Sequence, residues 1–295
     1  MQPRETQVTP QVTPPVTLAV TEHGPRTSST HVLLLHGFPD DQTMWADLVA
    51  ELPEDWHVIT YDARGTGGSS RPTRRSDYLA RHLVEDVVGV LDATVPDGEP
   101  VHLVAHDWGS VIGWDAVAAG TWDPRLERIA SYTSISGPPM DHLATLTSTW
   151  RGRLRMLPQL LHSTYGMLFC LPVLPELSAR YAQGPTRRIF SRLDPTAHLL
   201  PWGTPAMVRN TIPAVNLYRA NRGRLSRSQP WRTSTPVLLV IPLRDGFIRP
   251  RSFDHLDARC RDLTRVEVDC GHWVPRVRPR ELARLVRTFV EGHAD

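Results

Sequence analysis

The sequence predicts an α/β fold, a mostly parallel twisted sheet flanked by helices and interrupted by an inserted helical segment. Three observations carry that expectation. Short β-branched or apolar runs alternate with longer amphipathic stretches, the alternation is regular to about residue 137 and resumes after about 235, and the stretch between is helical in flavour and punctuated by prolines.

Taken in order, the leader 1–15, MQPRETQVTPQVTPP, is polar and rich in Thr and Pro. It lacks the basic start and apolar run of a signal peptide and is expected to be disordered. Strands are expected at about 16–22, 31–35, 57–62, 101–105, 128–134, 236–241 and 264–269, each a short apolar or β-branched run. Helices are expected at about 43–52, 77–94, 109–120, 252–262 and 279–291; in the last, Leu282, Leu285, Val286 and Phe289 recur at helical spacing. The core is therefore assigned to 16–137 and 233–295, with 138–232 as a cap, or lid, inserted between two consecutive strands.

Composition removes several classes of function. All 33 basic residues of the 295 are arginine, so no lysine exists for Schiff-base or pyridoxal chemistry or for a phosphate loop. A net charge of +2 does not suit a nucleic-acid partner. No stretch approaches the roughly 18 apolar residues needed to span a bilayer. Cys170, Cys260 and Cys270 have no metal-like spacing and are expected to be free thiols in a cytoplasmic protein. The insert holds 13 arginines against Asp141, Glu176 and Asp194, which makes it +10 and the remainder −8. An anionic or phenolic substrate, an acidic partner, an anionic membrane surface and an ordinary solvated face all fit that excess. The apolar run from Tyr165 to Pro175 is too short to span a membrane and is expected to pack over the pocket.

The sharpest motif is Val101-His102-Leu103-Val104-Ala105-His106-Asp107-Trp108-Gly109-Ser110, a buried-type strand running directly into a helix. A nucleophile elbow has this form: the residues two before and two after the nucleophile must be small, here Ala105 and Gly109, so that the reactive side chain stands above the carboxyl edge of the sheet. Taken alone, Asp107 has an N-cap of the following helix as its lesser alternative reading. As a nucleophile, a carboxylate attacks saturated carbon and leaves an alkyl ester that water must hydrolyse. Epoxides or alkyl halides are the substrates such chemistry implies.

A second strand ends in His36-Gly37-Phe38-Pro39-Asp40, and the backbone N–H groups of Phe38 and Trp108 are the candidate donors to an oxyanion on Asp107. Gly37 allows close backbone approach, and Pro39 fixes the turn with an expected cis bond. The last strand leads into Asp269-Cys270-Gly271-His272-Trp273, where His272 is the candidate base. Asp245, on the loop after the strand near 236–241, is the candidate acid that orients it, in the chain order nucleophile, acid, His.

Together with Tyr61-Asp62-Ala63-Arg64-Gly65-Thr66-Gly67-Gly68-Ser69-Ser70, these motifs resemble the α/β-hydrolase fold family and within it the epoxide-hydrolase branch. The resemblance covers nearly the whole chain. Ser134-Ile135-Ser136-Gly137-Pro138 through His142 is similar to the hydrolase domain that some actinobacterial proteins carry fused to a short-chain dehydrogenase; no dehydrogenase segment follows here, so the hydrolase alone is expected. The resemblance implies two lid tyrosines that protonate the epoxide oxygen, carried over to Tyr165 and Tyr218, with Tyr181 left to packing. It also implies a substrate pocket bordered by His36, Phe38, Pro39, Trp108 and Trp273, no cofactor or metal, and a small-molecule epoxide, such as a secondary metabolite, as the partner. The oligomeric state is left open, a homodimer included. Haloalkane dehalogenases share the Asp nucleophile but usually carry a polar residue where Phe38 stands, and a non-catalytic binding protein on the same scaffold is a third reading.

Overall fold

The computed structural model describes residues 3–10, 15–226 and 231–293, with side chains except those of residues 161, 165, 225 and 226. Among the described residues eight strands form one sheet: β1 (Arg4–Val8), β2 (Leu18–His23), β3 (His31–Leu35), β4 (His57–Tyr61), β5 (Val101–His106), β6 (Ile129–Ile135), β7 (Val237–Pro242) and β8 (Leu263–Val268). Eleven α-helical segments accompany them among the described residues: α1 (Ala46–Val49), α2 (Ala80–Thr94), α3 (Trp108–Ala119), α4 (Met140–Leu146), α5 (Trp150–His162), α6 (Thr164–Cys170), α7 (Leu174–Tyr181), α8 (Gln183–Leu193), α9 (Pro205–Asn221), α10 (Val274–Val277) and α11 (Pro279–Glu291). Helices α4 to α9 all fall between β6 and β7.

The strand order is β1-β2-β4-β3-β5-β6-β7-β8, antiparallel at β1–β2 and β2–β4 and parallel elsewhere. After β3 the chain crosses to one side, and after β5 it progresses to the other. The carboxyl ends of β3 and β5 therefore border the crevice where a doubly wound sheet binds its ligand. Register keeps those ends level, with Leu35 opposite Ala105 and Ala105 opposite Ser134.

Strand periodicity explains the two core layers. Leu33, Leu35, Leu103, Ala105 and Leu239 face α2 and α3, while Val32, Leu34, Val104, Leu238 and Val240 face α1, α10 and α11. In α11, Leu282, Val286, Phe289 and Val290 form the buried stripe, and Pro279 occupies its first turn, where a missing N–H costs nothing.

Two expectations need correcting. Within the leader 1–15, residues 4–8 form edge strand β1, paired antiparallel with β2 from Arg4 opposite Glu22 to Val8 opposite Leu18. Only Val8 of the five is buried, so backbone pairing builds a strand that side-chain pattern does not announce. The helix expected at 252–262 is instead two short 3-10 turns, at Pro250–Phe253 and Leu256–Ala258, separated by His255 in the left-handed region at φ 64°. Phe253, Leu256 and Cys260 are nonetheless buried, which is what their helix-like spacing encoded.

Candidate active site

Asp107 occupies the turn between β5 and α3 with φ 53° and ψ −119°, a conformation that non-glycine residues rarely adopt. The turn closes because its neighbours lack bulk. A Cβ on Gly109 would lie 2.3 Å from the carbonyl oxygen of Leu35, and one on Gly37 would lie 2.5 Å from Cβ of Asp107. The Asp107 carboxylate does not cap α3. Its Oδ2 accepts the N–H of Phe38 at 2.8 Å, and the nearby N–H of Trp108 also favours its charged form.

His272 follows β8. Its Nδ1–H donates to Oδ2 of Asp245 at 2.9 Å, which leaves Nε2 facing Oδ1 of Asp107 at 3.6 Å. Asp245 is itself fixed, because its Oδ1 accepts the N–H groups of Phe247 at 2.7 Å and Ile248 at 2.9 Å. The carboxyl ends of β5, β7 and β8 thus bring three residues, 27 to 165 positions apart in sequence, into one line.

Burial and charge set their protonation. Burial pushes the Asp107 carboxyl up to about 6, against the pull of His272 and the two backbone N–H groups. Burial alone would lower His272, but the carboxylates of Asp245, Asp107 and Asp194 outweigh it and raise the imidazole to about 9. At neutral pH His272 is therefore an imidazolium facing an ionised Asp107.

A cavity of about 520 Å³ opens above Asp107. Trp108, Val111, Met140, Leu143, Tyr218 and Ile248 contribute to a largely apolar wall, and Arg222 is its cationic member. The ring of Tyr218 packs edge-on against Trp108 and Phe38, with centroids 5.0 and 5.3 Å away. Tyr165 lies outside the described side chains.

The remaining expected pocket residues are distributed differently. Phe38 and Pro39, joined by a cis bond, border a smaller neighbouring cavity with Phe169 and Trp202. His36 does not line the cavity above Asp107: it is buried, with Nδ1 donating to the Gly37 carbonyl at 2.9 Å and Nε2 accepting the Ala63 N–H at 2.9 Å. Trp273 does not reach the cavity either. Its Nε1–H donates to Asp40 at 2.7 Å and its ring packs on His272 and Phe247. Tyr181, expected to be packed, is 79% exposed, and the apolar run over the pocket is only half engaged. Met167 and Leu171 border the cavity, while Leu168, Val173 and Leu174 stand in solvent.

Three residues that secure the site carry no signal in sequence spacing. Asp194, fully buried after α8, accepts the N–H of His272 at 2.8 Å and of Gly246 at 2.9 Å on one oxygen. Its other oxygen takes the N–H and hydroxyl of Thr196 at 2.8 and 2.5 Å. On the opposite side, His106 Nε2–H and the Ser136 hydroxyl donate to the His272 carbonyl at 3.0 and 3.3 Å. Burial holds the His106 ring far below its ordinary pKa, hence neutral.

A family model described as the alpha/beta hydrolase fold matches residues 30–279. The "Probable oxidoreductase EphD" of Mycobacterium tuberculosis is 34% identical over 274 residues, spanning 88% of this chain and 45% of that protein, so the chain covers less than half the length of that relative. "Epoxide hydrolase 3" of Xenopus tropicalis is 24% identical over 282 residues, covering 88% of this chain and 71% of that protein. The crystal structure of Bacillus megaterium epoxide hydrolase in complex with an inhibitor superposes with a TM-score of 0.77 at 20% identity, covering 97% of this chain and all of that one, a likeness of fold. With this mostly parallel sheet and the family model matched over residues 30–279, the chain belongs to the α/β-hydrolase family.

Proposed function

We propose that the chain is an epoxide hydrolase working through a covalent ester on Asp107. One observation carries the reading: a carboxylate stands at the elbow, held by the backbone N–H of Phe38 and facing an imidazole that is paired behind with a second carboxylate. In the first half-reaction an oxygen of Asp107 attacks an epoxide carbon and the carbon–oxygen bond opens. Tyr218, with Tyr165, supplies the proton that an alkoxide leaving group needs. In the second half-reaction His272 removes a proton from water as the water attacks the ester carbonyl. The oxyanion that forms is held by the N–H groups of Phe38 and Trp108, the first of which already donates to this carboxylate at rest. The tetrahedral intermediate then expels the diol oxygen, which takes the proton held by His272. The second proton of the water returns to the tyrosinate, so the diol leaves with Asp107 ionised and both tyrosines protonated.

Loss of the Asp107 charge on ester formation removes one of the carboxylates that hold a proton on His272. The imidazole therefore becomes a base at the stage that requires one. The apolar lining favours a lipophilic epoxide larger than a simple oxirane. Relatives bearing the name epoxide hydrolase support the same chemistry.

Intact-protein mass spectrometry tests it. A His272→Gln variant mixed with a panel of aryl and alkyl epoxides should accumulate a species heavier by one substrate, and that mass should be missing from Asp107→Asn. If no epoxide yields an adduct, the ester mechanism is wrong.

A further inference from the structure

The charge of the insert plays no part in the reaction proposed above, and the structure shows what accompanies it. From Trp150 to Leu193, α5 to α8 carry seven arginines and one acidic residue, Glu176. That acid is already engaged: Arg219 of α9 holds its carboxylate at 2.6 and 3.0 Å. The same helices present large apolar side chains to solvent. Helix α5 buries Met156 and Gln159 and exposes Trp150 (70%), Leu154 (65%) and Leu157, whose spacing of four and three aligns them in one stripe. Exposed Arg151 and Arg153 flank that stripe, while Arg155 lies toward the opposite side of the helix and pairs with Asp254 at 3.1 Å. Helix α7 repeats the arrangement with Leu174, Leu177 and Tyr181, and exposed Arg187, Arg188 and Arg192 follow on α8.

Exposed leucines gain nothing from water, and a stripe of them marks a contact surface. A second copy of this chain is disfavoured as the occupant, because it would set one arginine-rich surface against another. A bilayer interface accommodates both features: apolar side chains enter the acyl boundary, and guanidinium groups on flexible stems reach lipid phosphates. The patch also adjoins the site. Met167, 71% exposed, and Leu171 belong to it and to the wall of the cavity above Asp107.

We propose that α5 to α8 form an interfacial docking surface for an anionic lipid bilayer, at which the cavity opens. This surface stands independently of the chemistry assigned to Asp107.

Co-sedimentation of the full chain with vesicles tests it. Vesicles of equal parts phosphatidylglycerol and phosphatidylcholine should carry the protein down, those of phosphatidylcholine alone should not, and added salt should release it. The Arg187→Glu, Arg188→Glu, Arg192→Glu triple variant should weaken binding by about a hundredfold or more, since each basic residue near such a surface is worth about fivefold. Leu154→Ser with Leu157→Ser should weaken it by at least about tenfold. These side chains are exposed, so retained melting temperature verifies that both variants fold. Absence of binding to either vesicle overturns the proposal, as does binding that neither variant alters. A dimer seen by light scattering without lipid and dispersed by the leucine variant also overturns it, assigning the stripe to self-association.

Discussion

The backbone N–H of His272 donates to the carboxylate of Asp194 at 2.8 Å, across 78 residues of sequence. Through that carboxylate the loop of the proposed base, the loop of Asp245 and the insert are tied together. Asp194→Ala leaves the N–H groups of Gly246, His272 and Thr196 buried without this acceptor, at about 1–3 kcal/mol each. Asp194→Asn is milder but sets an amide N–H₂ against one pair of donors. Both variants should lower the melting temperature, alanine more. Turnover of an epoxide should fall in kcat with little change in KM, because Asp194 does not border the cavity. A variant that loses stability but keeps full kcat would reduce Asp194 to a structural tie.

Asp107→Asn should abolish turnover and at the same time stabilise the fold at alkaline pH. The carboxyl is raised from 3.8 to about 6 by burial, so the folded chain binds this proton more tightly than the unfolded one. Its contribution to stability is complete below about 4 and is lost as pH rises through 6. At pH 8 the ionised side chain, only 14% exposed, costs up to about 3 kcal/mol relative to a neutral one. Thermal unfolding at pH 8 should show the variant several degrees above wild type, with the difference shrinking toward pH 4. An equal gain at both pH values would place its origin elsewhere.

The line of Asp107, Asp245 and His272 was legible because the fold fixes where each strand ends: Asp107 and Asp245 follow apolar runs, and His272 follows the alternating strand Leu263–Val268. Strand β1 and residue Asp194 were not, for a shared reason. Their partners are backbone groups, and backbone donors and acceptors leave no trace in side-chain spacing. The local part of Asp194, its bonds to the N–H and hydroxyl of Thr196, was readable as a turn in Asp194-Pro195-Thr196. Its reach to His272 was not. Trp273 and His36 misled in the opposite direction: both adjoin motif residues in sequence, yet β8 and β3 turn their rings toward Asp40 and the 62–70 loop. The exposed stripe of α5 has the spacing of a packed helix, and only the tertiary structure shows that nothing among the described residues covers it.

Tyr218→Phe isolates the proposed acid. The ring contacts with Phe38, Trp108 and Phe169 need no hydroxyl, so the variant should keep the fold within about 1 kcal/mol. Loss of a positioned proton donor slows such a step by about a hundredfold or more. Single-turnover alkylation, followed by the quenching of tryptophan fluorescence as the ester forms, should slow accordingly while ester hydrolysis changes little. Equal slowing of both steps would indicate a damaged pocket and remove Tyr218 from the acid role.

The two half-reactions should titrate differently. Ester formation requires Asp107 ionised, so its rate should rise as pH increases through about 6 and then level off. Hydrolysis requires His272 unprotonated, and in the resting site the imidazole is held up at about 9 by Asp245, Asp107 and Asp194 against the opposing effect of burial. Conversion of Asp107 to an ester deletes one of those charges, so the hydrolysis step should titrate below 9 while still above the ordinary imidazole value of 6.5, given that Asp245 remains 2.9 Å away. Rapid-quench measurement of ester build-up and decay from pH 5 to 10 separates the phases. Decay that titrates at 9 or higher would mean that the charge of Asp107 has no hold on His272, and the switch from resting imidazolium to working base would have to come from another group.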